Sequence, residues 1–357
     1  MARILISHPM YPGTIRRLGL GRANSLLNGK TDISSIPEEV FYRNNGDEEI
    51  IYIPRISLKQ LPDEQDDPSL TILRQALENL RPDVLIVGNN AVPGTAIAAW
   101  RKAVGYQRRL LIIRRGVDTR AIDKVAARQY KVVVDNLPGI NSPYVAKHMS
   151  RYLKLNEAKS NQKLAVIGVG NIGKNIALDG IEQGLEVRLL SPSLQDPQKR
   201  QGILWQRGIP PEKVICAESI DRAFADASYV AIAVPWENSD GSTNAGAIGE
   251  HHLRSLAPGA QIVSASVPRI FAEGAIALMN EWVRQEKMFV RIDTSKRRAH
   301  EVKKNYPYLD VAHDVAFAAF ECQQALDNAM LKKAREFVQS PVQHNVARIP
   351  LPQKRAF

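Results

Sequence analysis

The chain is poor in the features that mark several classes of protein. It has only two cysteines, Cys216 and Cys322, among 357 residues, too few for a disulfide framework and without metal-ligand spacing. No apolar run approaches the length of about 20 residues that a membrane-spanning helix requires. The N-terminus MARILISHPM lacks the apolar stretch and cleavage site of a signal peptide. We therefore expect a cytoplasmic, metal-free protein that does not contact a membrane.

Acidic residues are also in the minority. Lysine and arginine total 48 against 37 aspartates and glutamates, a formal net charge of +11. Such a balance suits either nucleic acid or small anions as partners. The basic residues are scattered, and no helix-turn-helix, zinc-finger or aromatic-rich RNA motif accompanies them. A small anionic substrate and cofactor are therefore favoured over nucleic acid, for which steep salt dependence of DNA affinity would be the test.

The length and the hydrophobic pattern indicate two α/β domains. A chain of 357 residues exceeds one ordinary core. Uninterrupted apolar strands, such as DVLIVG (83–88) and LLII (110–113), alternate with amphipathic helices, which is typical of a parallel sheet covered on both faces. Residues 20–70 are polar and contain several prolines, and we interpret them as an irregular insertion. A long helix is predicted from about 317 to 338, followed by an extended basic tail at 341–357.

The segment LAVIGVGNIG (164–173) has the pattern of a phosphate-binding turn between a strand and a helix. Gly168 permits the tight turn, Gly170 lets the backbone approach a pyrophosphate, and Gly173 allows the helix to pack closely on the strand. The N–H groups at the start of that helix would bind phosphate oxygens. The residues assigned to this site are Gly168, Gly170, Asn171, Ile172 and Gly173. The sequence therefore predicts a dinucleotide-binding domain, with a nicotinamide cofactor.

The strand after this helix, EVRLL, is followed by Ser191. An acid at this position would accept hydrogen bonds from the adenosine ribose and would repel a 2′-phosphate. Serine would not repel that phosphate, and Ser193, Lys199 and Arg200 lie nearby in sequence. This favours NADP over NAD, while a serine that only caps the strand would select neither cofactor.

Several segments together resemble the D-isomer-specific 2-hydroxyacid dehydrogenase family. The likeness covers about residues 80–340 and is weak before them. It is carried by 114–148, by the glycine turn, by ASYVAIAVPW (227–236) with HHLRSLAPGAQIV (251–263), and by YLDVAHDVAFAAFE (308–321). The resemblance implies two Rossmann-like, doubly wound domains with a cleft between them. It also implies a homodimer joined through the cofactor domains.

The resemblance further implies how the chain is divided. A substrate domain would comprise residues 1–142 and be completed by the C-terminal helix at about 317–340. A dinucleotide-binding Rossmann domain would occupy residues 143–316, between these two segments.

The reaction implied is hydride transfer between nicotinamide and a 2-oxo or 2-hydroxy acid, which needs an acid/base and a cation. His313 matches the family's catalytic histidine. Arg269 is the single arginine in the loop where the family has its substrate-binding arginine, although this loop departs from the family pattern. The position of the family's orienting glutamate holds Arg298. Glu301 and Asp314 are the nearest acids, and neither matches firmly.

Three further residues match cofactor contacts of the family. Asp293 corresponds to the aspartate that contacts the nicotinamide carboxamide. Val234 and Pro235 correspond to residues that line the cofactor ribose. Capping and packing at strand ends would equally explain all three.

Two segments are candidates for substrate binding. Asn89, Asn90 and Ala91 form the turn after the strand DVLIVG, where backbone N–H groups of the family hold the substrate carboxylate. Arg114 ends a neighbouring strand and would contact an anionic substrate. A plain polar turn is the alternative for the first segment.

These observations together predict an NAD(P)-dependent oxidoreductase that acts on the CH–OH group of a small anionic 2-hydroxy acid, or on the corresponding 2-oxo acid. The altered arginine loop and the excess positive charge suggest an unusual substrate, for example a phosphorylated, phosphonate or imine-like one. The alternative is a regulatory protein that kept the dinucleotide fold and lost the chemistry.

Overall fold

The protein divides into two compact units, here called unit 1 and unit 2. Unit 1 is Met1–Leu137 with the residues from Asp327 onward, and unit 2 is Pro138–Leu326. The first boundary falls five residues before the one implied by the resemblance and the second falls ten residues after it; the roles of the two units stay a prediction. The structure, a computed structural model, describes residues 1–23, 26–27, 31–32, 36, 39–54, 56, 68–116, 119–236, 242–313 and 319–340. Asp314 and the tail at 341–357 lie outside the described residues.

Unit 1 is built on a seven-stranded sheet with the order β2-β5-β6-β1-β7-β8-β9. The strands of unit 1 are β1 (Ala2–Ile6), β2 (Gly21–Ala23), β3 (Leu26–Leu27), β4 (Thr31–Asp32), β5 (Val40–Asn44), β6 (Glu48–Tyr52), β7 (Val84–Val87), β8 (Leu110–Arg114) and β9 (Val132–Asn136). Of these, β3 and β4 pair with each other outside the seven-stranded sheet. Its helices are α1 (Pro12–Leu18), α2 (Pro68–Leu80), α3 (Gly94–Val104) and α4 (Lys124–Gln129). The strands β6, β1, β7, β8 and β9 run parallel. Because β6 and β7 lie on opposite sides of β1, the winding of this sheet reverses between β1 and β7.

Residues 20–70 contain the strands β5 and β6, so the interpretation of this segment as an irregular insertion is wrong there. They form an antiparallel hairpin around Asn45 and Gly46, and Gly46 has a φ of 92°. An Asn-Gly pair between two β-forming runs is a hairpin signal, so this turn is encoded in the local sequence. β6 pairs directly with β1, and its residues Ile50 and Ile51 are fully buried, so part of the supposed insertion belongs to the core.

Unit 2 contains the other seven-stranded sheet, with the order β12-β11-β10-β13-β14-β15-β16 and every pair parallel. Its strands are β10 (Lys163–Ile167), β11 (Glu186–Leu190), β12 (Val214–Cys216), β13 (Tyr229–Ile232), β14 (Gln261–Ser264), β15 (Phe289–Thr294) and β16 (Asp310–His313). Its helices are α5 (Ser142–Tyr152), α6 (Asn171–Glu182), α7 (Pro197–Gln206), α8 (Ile220–Phe224), α9 (Glu250–Arg254), α10 (Glu273–Arg284) and α11 (Lys296–Asn305); α12 (Phe320–Gln339) continues into unit 1.

The strand order of unit 2 is that of a Rossmann sheet, with the reversal of winding between β10 and β13. Alternate residues of the central strands enter two cores. Ala165 and Ile167 of β10 pack into one, while Leu164 and Val166 pack into the other. Both faces are therefore covered, as the uninterrupted apolar strands predict. The fold class predicted from the sequence is confirmed in both units. Among the described residues, no helix combines the length and apolarity needed to cross a bilayer.

The last helix, α12, is fixed to unit 1 by ion pairs. Asp327 is fully buried and lies 3.3 Å from the Arg115 guanidinium. Arg335 pairs with Glu48 at 2.6 Å, and Lys333 pairs with Asp135 at 2.7 Å. Since these partners lie on or beside β6, β8 and β9, the end of α12 belongs to the fold of unit 1.

Candidate functional site

The glycine turn of unit 2 follows β10 directly and ends where α6 begins. Gly168 has a φ of 90°, and a Cβ there would lie 2.6 Å from the Val234 side chain. A Cβ on Gly173 would lie only 1.9 Å from the carbonyl oxygen of Gly168. The structure thus brings Gly168, Gly173 and Val234 together, and the first two positions require glycine.

Gly170 differs from these two glycines because the space beside it is open. A Cβ on Gly170 would meet nothing within 4 Å. Gly170 is also the N-cap of α6, and as a glycine it has no side chain that could accept hydrogen bonds from the first N–H groups of the helix. The first N–H groups of a helix lack partners within the helix, and they attract anions. Gly170, Asn171 and Ile172 therefore present the backbone donors that a pyrophosphate group requires, and these residues fit a dinucleotide. The Asn171 side chain lies against Gly139.

Ser191 and Ser193 come together after β11. Their hydroxyl oxygens are 3.0 Å apart, and Ser191 is buried. The two nearby cations have local partners instead. Lys199 forms an ion pair with Asp196 at 3.0 Å, and the Arg200 guanidinium donates to the carbonyl of Leu194 at 2.9 Å. The hydroxyl pair, rather than these cations, is therefore the feature of this strand end that bears on the choice between NAD and NADP.

Arg207 is a contributor to the turn that the sequence did not reveal. It caps the end of α7, and its guanidinium donates to the carbonyl of Val169, inside the glycine turn. A positive charge therefore lies against the proposed phosphate site. Nothing in the local sequence marks this residue, because it lies 38 positions from its partner.

Replacement of Arg207 with glutamine is expected to weaken NADPH and NADH binding by about tenfold or more, since the lost charged hydrogen bond to the Val169 carbonyl is worth about 1.5–3 kcal/mol. Quenching or enhancement of nicotinamide fluorescence during titration measures the effect. Arg284→Gln is the matched control, because Arg284 pairs with Glu281 on α10 at 2.6 Å. Equal affinities for the two variants would exclude a role for Arg207.

The carboxyl ends of β15 and β16 bring two further predicted residues to one edge. Thr294, the last residue of β15, is paired in register with His313, the last residue of β16, so Asp293 and His313 lie at the same edge of two neighbouring strands. His313 is exposed, as an acid/base that meets a substrate must be. Val234 and Pro235 follow β13, and their carbonyls accept hydrogen bonds from Ser266 at 2.6 Å and Asn244 at 2.8 Å, respectively.

Arg269 lies on a 3-10 turn, Pro268–Ile270, after β14. Its side chain is exposed, and its carbonyl accepts a hydrogen bond from Gly246 at 2.9 Å. The structure therefore places Arg269 on a short turn after the carboxyl end of β14, which is the strand next to β15. Its contact with a substrate stays a prediction.

The sequence left Glu301 and Asp314 as the acids nearest to the family's glutamate position, which holds Arg298, and their relation to His313 stays a prediction. Arg298 and Glu301 both lie on the exposed side of α11. Glu301 lies 3.5 Å from Arg297, one turn earlier on the same helix. Asp314 lies outside the described residues. The helix α11 itself was not predicted, because its sequence KRRAHEVKKN has a single buried position, Ala299.

His148 on α5 is a second histidine near this edge that the sequence did not single out. Its Nε2 is buried and has no hydrogen-bond partner among the residues that the structure describes. Its ring contacts Tyr152 edge-on at 4.5 Å, and Tyr152 lies 3.7 Å from the Arg291 guanidinium. Burial lowers the pKa of His148, and the charge of Asp293 opposes that shift. A neutral imidazole therefore lies within electrostatic reach of Asp293.

Asp221, His251 and His252 have potential ligand atoms within 4.8 Å of one another. The Nδ1 of His252 accepts a hydrogen bond from the N–H of Gly249 at 2.9 Å. In a neutral imidazole the other nitrogen, Nε2, then carries the proton, and this atom faces Asp221 at 3.6 Å. The cluster is therefore a histidine–carboxylate contact, and the expectation of no metal stays a prediction.

The predicted substrate turn in unit 1 is held in place by its own side chains. The Asn89 side chain accepts a hydrogen bond from the Arg114 guanidinium. The Asn90 amide donates to the carbonyl of Ser7 at 3.0 Å and to that of Ile56, and Ala91 is fully buried. The structure thus brings Asn89 and Arg114 together at the carboxyl ends of β7 and β8.

Comparison with known proteins identifies the fold. No family model matches the sequence, and no curated protein matches it. Solved structures do match. An NAD-binding D-isomer-specific 2-hydroxyacid dehydrogenase from Polaromonas sp. has 14% identity and a TM-score of 0.61, over 98% of this chain and 100% of that one. The chain has the fold of the D-isomer-specific 2-hydroxyacid dehydrogenases.

Two other structures with this fold contain cofactors. A 3-phosphoglycerate dehydrogenase from Entamoeba histolytica with bound NAD⁺ has 18% identity and a TM-score of 0.56, over 97% of this chain and 99% of that one. An acyclic imino acid reductase in complex with NADPH and D-Arg has 14% identity and a TM-score of 0.57, over 95% and 97%. The fold thus occurs with either dinucleotide.

Proposed function

We propose that the protein is an NAD(P)-dependent oxidoreductase that transfers a hydride between nicotinamide and a small anionic 2-hydroxy or 2-oxo acid. The observation that carries the proposal is the glycine turn at the point where the winding of the unit 2 sheet reverses. There, Gly168 and Gly173 have no room for a side chain, and the backbone at Gly170 is open. Ligands of open α/β sheets bind at such points.

Each residue at this edge has a distinct role in the proposed reaction. When bound, the nicotinamide supplies or accepts the hydride. Asp293 would hold the cofactor by accepting hydrogen bonds from its carboxamide. His313 exchanges the hydroxyl proton, because an imidazole releases and accepts protons near neutral pH. Arg269 holds the substrate carboxylate and polarises the carbonyl bond.

The direct test is a steady-state assay of NADH and NADPH oxidation against a panel of 2-oxo acids. We expect turnover with at least one member of the panel. A panel of acids that gives no oxidation of either cofactor would contradict the proposed function.

The hydroxyl pair at the end of β11 supports NADP as the preferred cofactor. Replacement of Ser191 with aspartate is expected to weaken NADPH binding by tenfold or more, because a carboxylate there repels the 2′-phosphate; a repulsion of about 1.4 kcal/mol produces that change. NADH affinity should be retained or improved. Paired fluorescence titrations of the wild type and the variant measure both constants. Equal affinity of the wild type for NADPH and NADH would overturn the preference.

A regulatory protein that binds a dinucleotide without chemistry is the second candidate. The observation that favours it is that no acid partner of His313 is found among the residues that the structure describes, since Arg298 occupies the glutamate position and Glu301 contacts Arg297. This candidate predicts that variants of Arg269 and His313 keep both cofactor affinity and biological activity.

A further inference from the structure

Helix α5 covers one face of the sheet of unit 2. Its residues Val145 and Met149 share a hydrophobic core with Val263 of β14. Val263 is paired in register with Arg291 of β15, and residues paired in this way have their side chains on the same face of a sheet. Since side chains alternate along a strand, Asp293 lies on that face as well. The face of β15 that contains Arg291 and Asp293 is therefore the face that α5 covers.

The contact between Tyr152 and Arg291 shows where α5 meets β15. The Arg291 guanidinium lies 3.7 Å from the centre of the Tyr152 ring. His148 precedes Tyr152 by one helical turn, and the centres of the two rings are 4.5 Å apart. One turn of a helix rises about 5.4 Å, and two residues of a strand span about 6.6 Å. His148 therefore lies one side-chain step along β15 from Arg291.

The charge of Asp293 acts on His148, so this step leads toward the carboxyl end of β15. Burial lowers the pKa of His148, Asp293 opposes that shift, and the charges of Arg291 and Arg151 reinforce it. The ring is therefore predominantly neutral at pH 7 and carries a single N–H. Its Nε2 is buried and has no hydrogen-bond partner in the part of the chain that the structure describes. Because a buried polar atom in that state destabilises the fold, a contribution to stability does not explain His148.

His252 on α9 shows how a structural histidine of the same unit is held. Its Nδ1 accepts a hydrogen bond from the N–H of Gly249 at 2.9 Å, which satisfies a donor at the start of the helix. Its Nε2 lies 3.6 Å from Asp221, and its ring packs edge-on against Phe224. Both nitrogens of His252 thus have a neighbour within the fold, whereas the described residues offer none to the buried nitrogen of His148.

We propose that His148 is a positioning residue of the cofactor site, whose imidazole N–H donates to the Asp293 carboxylate and holds it for the nicotinamide carboxamide. A carboxylate has two oxygens, so one accepts from the imidazole while the other accepts from the carboxamide. The bond to His148 forms when the nicotinamide binds, and it gives Nε2 the partner that it lacks among the described residues. The inference rests on the proposed function, which assigns the carboxamide to Asp293.

Binding of complete and truncated dinucleotides tests this role without any turnover. NADH and NADPH contain the nicotinamide, whereas ADP-ribose and its 2′-phosphate lack it and keep the pyrophosphate. We expect His148→Phe to weaken binding of the two nicotinamide dinucleotides by about tenfold, the loss expected for one hydrogen bond to a charged group. Binding of the two truncated ligands should stay within about twofold of the wild type. Fluorescence titration and calorimetry measure the four dissociation constants.

Two further properties separate positioning from a structural role. His148→Phe keeps the ring contact with Tyr152 and removes an unpartnered nitrogen, so its thermal unfolding midpoint should equal or exceed that of the wild type. His148→Gln should bind NADH within about threefold of the wild type, because its amide N–H takes the place of the imidazole donor. A lower unfolding midpoint of His148→Phe, together with equal weakening of all four ligands, would show a structural role and overturn the proposal.

A double-mutant cycle with Asp293 tests whether the two side chains act together. Asp293→Asn alone should weaken NADH binding, and His148→Phe added to it should cause a smaller further loss than it causes in the wild type. Fully additive losses overturn the proposal. His252→Phe is the matched control, since it should lower the unfolding midpoint through the lost bond to Gly249 and leave the preference for NADH over ADP-ribose unchanged.

The outcome for His148 is separable from the outcome for the proposed function. If the wild type oxidises NADH or NADPH with a 2-oxo acid, but His148→Phe binds all four ligands as the wild type does, the inference is overturned and the proposed function stands. If no acid is turned over, while His148→Phe loses affinity for the nicotinamide dinucleotides alone, the proposed function is refuted and the positioning role is retained.

Discussion

Replacement of Gly173 with alanine is expected to abolish dinucleotide binding and to destabilise unit 2 by at least about 3 kcal/mol, beyond the usual cost of overpacking. The added Cβ would lie 1.9 Å from the carbonyl oxygen of Gly168, which is backbone and has no rotamer to escape into. Either the turn or the start of α6 must move. Denaturant unfolding and titration with NADH and NADPH measure the two effects.

Gly202 provides a matched control, because it also lies in a helix of unit 2. A Cβ on Gly202 would meet nothing within 4 Å. Since glycine inside a helix costs about 1 kcal/mol relative to alanine, Gly202→Ala should stabilise the protein by up to that amount and leave cofactor affinity unchanged. Equal behaviour of the two variants would show that the close approach at Gly173 is not required for the fold.

Replacement of His313 with alanine is expected to lower kcat by about 10²–10⁴-fold, the usual loss when a general acid/base is removed. NADH and NADPH affinity should stay within about twofold of the wild type, because His313 is exposed at the end of β16, on the far side of the sheet centre from β10 and its glycine turn. Stopped-flow or steady-state kinetics, together with fluorescence titration, separate the two quantities.

His300→Ala serves as the control for this variant, since His300 is exposed on α11 and has no role in the proposed reaction. Its turnover should match the wild type within about twofold, because a surface substitution away from the reacting groups usually changes stability by no more than about 0.5 kcal/mol. If His313→Ala also turns over normally, the chemistry does not depend on this residue. The regulatory candidate, or a different acid/base such as His148, would then be the better description.

The features that the sequence predicted well are those encoded by neighbouring residues. The glycine turn is one example, because three glycines at fixed spacing between a strand and a helix leave few alternative structures. The alternation of apolar strands and amphipathic helices likewise predicted both α/β units. The hairpin at Asn45 and Gly46 is equally local, although the polar composition of residues 20–70 favoured an irregular structure.

Contacts between distant residues could not be predicted in this way. Arg207 contacts Val169 across 38 positions, and Asp327 contacts Arg115 only because α12 returns to unit 1. The environment of His8 depends on the position of Gly88, 80 residues later in the sequence. Residue spacing carries no information about such pairs, since the sheet order alone decides which strand ends become neighbours.

The discontinuity of unit 1 has a consequence for how the chain is made. Synthesis from the N-terminus delivers β1 to β9 first, but the ion pairs of Arg115 with Asp327 and of Glu48 with Arg335 form only after α12 has left the ribosome. Unit 2 lies entirely between these two segments, so its sequence is complete before that of unit 1. Domains generally fold as units during synthesis. Unit 2 is therefore the part of the nascent protein that is able to fold first. The N-terminal residues of unit 1 have a complete core only after α12 has been synthesised.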